Sequence, residues 1–472
     1  MPPHAASPDP AQLLDELRDR LPADTLLTDP ESLAAHARDA APFSAPGVPA
    51  VVVLPRTAEQ VEEVMRTAYA HHVPVVPQGA RTGLAGAANA VDACVVLSTV
   101  RMDRIGTIDP VNRLVRCEPG VITKRLNDAV AEHGLAYPPD PASWETCTIG
   151  GNIATGAGGI CCVKYGVTAD YVLGLDVVLP DGRRMRTGHD TPKGVAGYDL
   201  TRLFVGSEGT LGVIVGATLA LRPARPAPLA LLAQFPSLAA AGHAVAAITG
   251  GGHLPSAVEL LDRATSQAVA EYGHALLRPD SAATLIVESD APDPAPDLAA
   301  MKALCEGAGA DQVVAATTAE ESQKIIEARR LVSPALGAFA ATLGGRPTAF
   351  IEDVAVPPSE LPKFVGTIED IASRHRLRIF TLGHAGDGNL HPTVLFDESD
   401  PDQVHRARTA YDDIMAAGLA LGGTTTGEHG IGTLKREWLG RELDAVSLEV
   451  HRGIKQLFDP RNLLNPGKVV EA

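Results

Sequence analysis

Three glycine-rich stretches between residues 78 and 212 constrain this chain more than any other feature of it. QGARTGLAG (78–86) follows the apolar run VPVVP (73–77), and its glycines let backbone N–H groups approach a ligand closely. PPDPASWETCTIGGNIATGAGG (138–159) mixes glycines and hydroxyls with no helical or strand period, and structureless loops of that length inside a domain are usually functional. GSEGTLG (206–212) precedes a strand. None of them is a GxGxxG opening a helix or a GxxxxGK[ST] loop, so the two common nucleotide-binding fingerprints are excluded. Together they imply an extended ligand, of dinucleotide length, gripped through main-chain amides.

Composition narrows the partners. The 472 residues suffice for two or three domains with substantial cores. A formal charge of −17 opposes nucleic acid, and an anionic metabolite would need a local cationic site to override that field. The six cysteines form no CxxC, and the vicinal Cys161-Cys162 reads as small packing residues. No run approaches the roughly 18 apolar residues of a membrane span, and the N-terminal text lacks a cationic stretch followed by an apolar one. The expectation is a reduced, cytoplasmic enzyme, peripheral at a membrane only through its electron acceptor, with room for a homodimer.

Along the chain, a polar leader with helices occupies residues 1–45. VVVLP (51–55) reads as a buried strand, and Thr57 to Gln60 as a capping box before a helix burying Val61, Val64, Met65 and Ala68. Short strands follow at ACVVLS, RLVRCEPG, LGLDVVLPDGR and LGVIVGATLALRP, with one helix at Thr123 to His133 closed by Gly134. RPARPAP (222–228) marks a boundary. Beyond it, helices from Ser237, from Thr318 to Ala341 and from Pro358 to His375 alternate with strands SAVELLD, TLIVES, TAFIEDVAV, RIFTLGH and NLHPTVLF. The texture is α+β, an antiparallel sheet covered by helices. The divisions are 1–45, 46–223, 224–425 and 426–472.

GHAGDGNLH (383–391) predicts a hairpin, because Asp387-Gly388 suits a type I′ turn. That register would set His384 directly opposite His391 with Cβ atoms roughly 5 Å apart. Two imidazoles so placed are half of a metal site; alone they are equally two cross-strand histidines.

PQGARTGLAG, TIGGNIATGAGG, KYGVTADYVLGLDVVLPDG, GSEGTLGVI, GHAGDGNLH, TGEHGIG and FDPRNLLNPGK, in this order over residues 46–470, resemble one family. It is the FAD-linked oxidases of the vanillyl-alcohol-oxidase type, in the branch of D-lactate dehydrogenases, glycolate oxidase flavin subunits and D-2-hydroxyglutarate dehydrogenases. The resemblance implies an FAD-binding domain of two α+β subdomains, an antiparallel α+β substrate-capping domain and a C-terminal helical segment returning to the flavin. By it, Pro77, Gly79, Ala80, Arg81, Thr82, Gly83 and Leu84 cradle the FAD pyrophosphate. Asp140, Thr148, Gly151, Asn152, Thr155, Gly158 and Gly159 line the middle of the cofactor and its ring. Glu208 and Ile214 fall near the adenine, and Asn465 near the ring. Covalent relatives carry a histidine where this chain has Arg81, so the FAD is expected to be dissociable.

GEHG supplies Glu428 beside His429, and His384, His391 and Glu428 form a His₂-carboxylate set suited to catalytic zinc and also to manganese or iron. The family places the same assignment there. His429 is then the general base and Arg329 the carboxylate clamp, with Arg330 the competing arginine and an ion pair to Glu327 the competing role. Lys435 is expected to be solvated. Relatives acting on 2-hydroxyglutarate carry a lysine two residues before the aspartate of the cap strand, where this chain has Ile351 before Glu352-Asp353. That favours a monocarboxylate. The implied reaction is oxidation of a D-2-hydroxy acid, lactate- or glycolate-like, to the 2-oxo acid, with hydroxyl deprotonation assisted by the metal and hydride transfer to flavin N5. The alternatives are flavin chemistry like that of alkylglycerone-phosphate synthase, and a non-catalytic flavoprotein subunit. The electron acceptor is unspecified.

Overall fold

The computed structural model describes residues 8–471, so the first seven residues of the expected leader lie outside the described residues. The chain forms two compact units. One comprises the chain up to Gly159, Val167–Ala224 and the segment from Glu428; the other comprises Ile160–Gly166 and Arg225–Gly427.

The first unit contains two sheets and a two-stranded ribbon. One sheet orders Leu26–Leu27, Val51–Val53, Val95–Ser98 and Val75–Gln78, the last three parallel. Their near-continuous valine runs are what strands buried on both faces require. Helix Ala58–Ala70, capped by the Thr57 side chain, buries Val61, Val64, Met65 and Ala68 against this sheet, with Leu13 and Leu17 of Pro10–Arg20 in the same core. The other sheet is antiparallel, in the order Ile105–Asp109, Leu114–Cys117, Val213–Ala220, Val172–Val178 and Arg184–Gly188. The C-terminal tail returns to the first sheet, where Leu464 bridges Val75.

The second glycine stretch is not structureless. It contains helix Ile149–Thr155, N-capped by the Thr148 side chain and ended by left-handed Gly156. Seven residues with two adjacent glycines carry too little apolar periodicity to reveal it, and the cap was the available cue.

The second unit is built on one antiparallel sheet in the order Gln312–Ala315, Leu229–Phe235, Ala283–Ser289, Ala257–Asp262, Arg378–His384, Asn389–Asp397 and Pro347–Ile351. Val354–Ala355 also pairs with Asn389–Asp397. Helices cover the sheet, including Arg263–Tyr272, Leu361–His375 and Pro401–Ala420. The single helix expected over 318–341 is two, Ala319–Arg330 and Val332–Ala341. Pro334 lacks an N–H and its ring crowds the carbonyl of Arg330, which breaks the ladder there. Among the described residues no helix is long and apolar enough to cross a membrane.

Candidate functional site

The first unit encloses a cavity of about 220 Å³. All seven expected residues of the first glycine loop, Pro77, Gly79, Ala80, Arg81, Thr82, Gly83 and Leu84, lie on its wall. So do Thr148, Gly151, Asn152, Thr155, Gly158, Glu208 and Ile214. Asp140, Gly159 and Asn465 are not among the residues that line it. Gly159 sits so close to Asp140 that a Cβ would lie 2.6 Å from the latter's carbonyl. Asn465 donates to the carbonyls of Ala87 and Glu208 at 3.0 and 2.7 Å.

Two loops meet at Gly79. A Cβ there would fall 2.4 Å from Thr148 Oγ1, the oxygen that caps the helix by accepting from the Gly151 amide at 3.3 Å. The Asn152 side-chain amide donates to Thr123 Oγ1 at 2.9 Å. Arg81 adopts φ +60, and burial lowers its pKa. Asp39, also on the wall, was missed, because nothing in the surrounding leader text distinguishes it.

Glu428 and His429 belong to this same wall. Glu208, placed near an adenine by resemblance, uses its carboxylate on the GEHGIG turn, accepting from the Ile431 and Gly432 amides at 2.6 and 2.7 Å. Burial pushes Glu208 up to about 7 against the pull of those amides. Within GEHG, His429 Nε2 stands 3.9 Å from Glu428 Oε1. Lys435, expected to be solvated, is only 3 % exposed, and its charge draws Glu208 downward.

In the second unit the histidine register differs from expectation. His384 pairs with Asn389 and His391 with Leu382, so a four-residue loop, residues 385–388, replaces the two-residue turn. Gly388 has positive φ and Asp387 does not, which rules out type I′; the Gly388 and Asp387 amides instead reach back to the His384 carbonyl. The slip is of two residues, and an even slip keeps both imidazoles on one face. They are diagonal neighbours, ring centroids 5.3 Å apart.

Both rings are held from behind. His384 Nδ1 lies 2.6 Å from Glu259 Oε1, and His391 Nδ1 lies 3.1 Å from the Glu352 carbonyl. Burial raises the Glu259 pKa, but the His384 and Arg329 interactions outweigh it and hold that carboxyl below its usual range. Carbonyl and carboxylate oxygens only accept, so each Nδ1 carries a proton and each Nε2 is the nitrogen turned toward the other ring. Those two Nε2 atoms face each other at 3.5 Å, nearly out of water. Two imidazole nitrogens facing at that distance can share a proton or hold a cation between them. Tetrahedral zinc with Zn–N of about 2.0–2.1 Å sets its nitrogens about 3.3–3.4 Å apart. The residues fit such an ion.

Arg329 and Arg330 separate cleanly. Arg329 turns to the sheet and gives Nε to Glu259 Oε2 at 2.7 Å, not to Glu327; Arg330 is exposed and meets Gln323 at 3.4 Å. The segment leading to GEHG is fastened to this unit: Thr426 Oγ1 donates to buried Asp353 at 2.6 Å, and Thr424 bridges Ala355. Glu259, Asp353 and Thr426 were not foreseen. For Glu259 the cue was a lone acid within the apolar strand AVELL.

Residues 49–188 match the family described as FAD binding domain, and residues 227–469 the FAD linked oxidases, C-terminal domain. The chain is 40% identical over 424 residues to glycolate oxidase subunit GlcD of Bacillus subtilis, covering 89% of each. It is 36% identical to D-lactate dehydrogenase of Archaeoglobus fulgidus, covering 89% of this chain and 91% of that one. A solved structure of p-cresol methylhydroxylase shares the fold, with TM-score 0.81 at 18% identity over 98% of this chain and 96% of that one. The antiparallel second unit and the glycine-lined first unit are thus those of an FAD enzyme, and the chain belongs to the FAD-linked oxidases.

Proposed function

We propose that this protein oxidises a D-2-hydroxy acid of the lactate or glycolate kind to its 2-oxo acid, using dissociable FAD in the cavity of the first unit and a divalent cation, zinc first, on His384, His391 and Glu428. The observation that carries the metal assignment is the pair of Nε2 atoms facing at 3.5 Å with both Nδ1 atoms committed elsewhere. Glu428 follows two residues after Thr426, itself tied to Asp353, so the chain can span at most about 7 Å from that anchor to the carboxylate's own Cα. The hydroxy-acid class is supported by what the relatives are named for.

FAD, when bound, supplies the hydride acceptor at N5. The cation, when bound, supplies positive charge that acidifies a hydroxyl beside it. The remaining work falls to side chains. Arg329, its Nε fixed by Glu259, keeps its two Nη groups for a substrate carboxylate. His429, on the wall shared with the glycine loops, accepts the hydroxyl proton. Ile351, opposite Thr393, offers no charge for a second carboxylate, which favours a monocarboxylate.

Anaerobic mixing of the FAD-loaded protein with D-lactate, glycolate and L-lactate tests this reading. We expect the flavin absorbance to bleach with D-lactate or glycolate, chelator treatment to abolish bleaching, and His429→Ala to slow it by about 10²-fold or more. Bleaching at full rate by protein shown by elemental analysis to be metal-free would overturn the reading.

A further inference from the structure

Glu259 is nearly inaccessible, at 2 % exposure, and it sits among the aliphatic side chains of Ala257, Val258, Leu260 and Leu261 in a strand that ends on Asp262. A carboxylate in that position is costly unless every oxygen is engaged. Both are. Oε1 takes His384 Nδ1 at 2.6 Å and Oε2 takes Arg329 Nε at 2.7 Å. The strand pairing makes the first contact inevitable, because Glu259 is directly opposite His384 in the register of Ala257–Asp262 with Arg378–His384. The second contact draws in helix Ala319–Arg330 from the covering layer. One buried side chain therefore sets the tautomer and tilt of an imidazole and the orientation of a guanidinium that come from elements far apart in the sequence.

We propose that Glu259 is a positioning residue that couples cation binding at His384 to carboxylate binding at Arg329. The inference rests on the roles given above to those two residues. A carboxylate behind a ligating imidazole raises its basicity and fixes its orientation, and loss of such a partner typically weakens metal affinity about 10–100-fold. The same carboxylate neutralises Arg329 in part and holds Nε, so the Nη pair is presented in one orientation rather than several. Removing it loosens both contacts at once, whereas mutating Arg329 touches only the carboxylate contact.

The test uses full-length, FAD-loaded protein stripped with chelator and titrated with zinc by equilibrium dialysis, followed by steady-state oxidation of D-lactate with a dye acceptor. Glu259→Gln keeps the size but replaces one acceptor by an amide that opposes a donor. It should weaken zinc binding about 10–100-fold and raise KM for D-lactate, with kcat at saturating zinc and substrate falling less than KM rises. Arg329→Gln should raise KM while leaving zinc affinity unchanged. Flavin content and the unfolding midpoint establish that each variant is folded. If Glu259→Gln does not fold, Glu259→Asp replaces it: one methylene shorter, it reaches one partner at most and should move both quantities in the same directions. Wild-type zinc affinity and KM in a folded Glu259 variant overturn the inference alone, as does loss of zinc affinity with unchanged KM. Wild-type protein that takes up no zinc overturns the proposed function and this inference with it.

Discussion

Gly79→Ala is the sharpest probe of the cradle formed by the glycine loops. Gly79 does not adopt positive φ, so alanine suits the backbone, and the added Cβ meets one obstacle, Thr148 Oγ1 at 2.4 Å. A hydroxyl can rotate away, but this one accepts the Gly151 amide and caps helix Ile149–Thr155. The cost is therefore that of a lost N-cap, about 1 kcal/mol. Thr148→Ala loses the same cap and a buried methyl, yet leaves room for a methyl at 79. The double variant should then be no less stable than Thr148→Ala, giving a coupling of about 1 kcal/mol. Urea unfolding of FAD-free protein measures the cycle. Titration with FAD should follow it, since about 1 kcal/mol of ordering charged to binding weakens Kd roughly fivefold. Strict additivity, with the double variant about 1 kcal/mol less stable than Thr148→Ala, would refute the claim that the first loop acts through the cap.

Lys455, 2 % exposed, donates to Asp459, to the Thr210 carbonyl and to the Leu464 carbonyl at 2.6, 2.9 and 2.7 Å, so Lys455→Met should cost about 3–5 kcal/mol in urea unfolding by stranding a buried carboxylate. Adding Asp459→Asn should return part of that loss. Glu208 holds its proton more tightly in the folded protein than in the unfolded chain, being pushed up to about 7 from an ordinary 4.5. Its contribution is thus fully present below about pH 4.5 and lost as pH rises through about 7, on the order of 3 kcal/mol in all. The difference between wild type and Glu208→Gln, measured as unfolding free energy of FAD-free protein from pH 5 to 8, should carry that slope.

Local chemistry was legible wherever one residue type decides the backbone. The Thr57 cap, the valine strands and the glycine loops around the cavity stand where the text puts them. The hairpin shows the limit. Asp387-Gly388 is a favourable turn dipeptide, yet Gly388 lies where a Cβ would strike the Val356 carbonyl at 1.9 Å, and Gly386 packs on Val163. Those distant contacts set the loop length, and no local signal encodes them. The face of the sheet survived because side chains alternate with period two, so the histidines remained together although their register slipped. Glu259 and Thr426 were invisible for a related reason: their partners are 125 and 73 residues away, and only pairing brings them close.

The arrangement around Glu259 also bears on how an acidic protein takes an acidic substrate. Arg329 pairs with Glu259, the carboxylate behind His384, and that carboxylate balances its charge at 2.7 Å. A neutral pair orients a carboxylate without attracting it, and the −17 field of the whole chain repels it. A cation held by the two Nε2 atoms would supply a positive centre and attract the substrate's oxygens at that point. Holding a divalent ion, the histidine pair would make an otherwise acidic protein receptive to an anion.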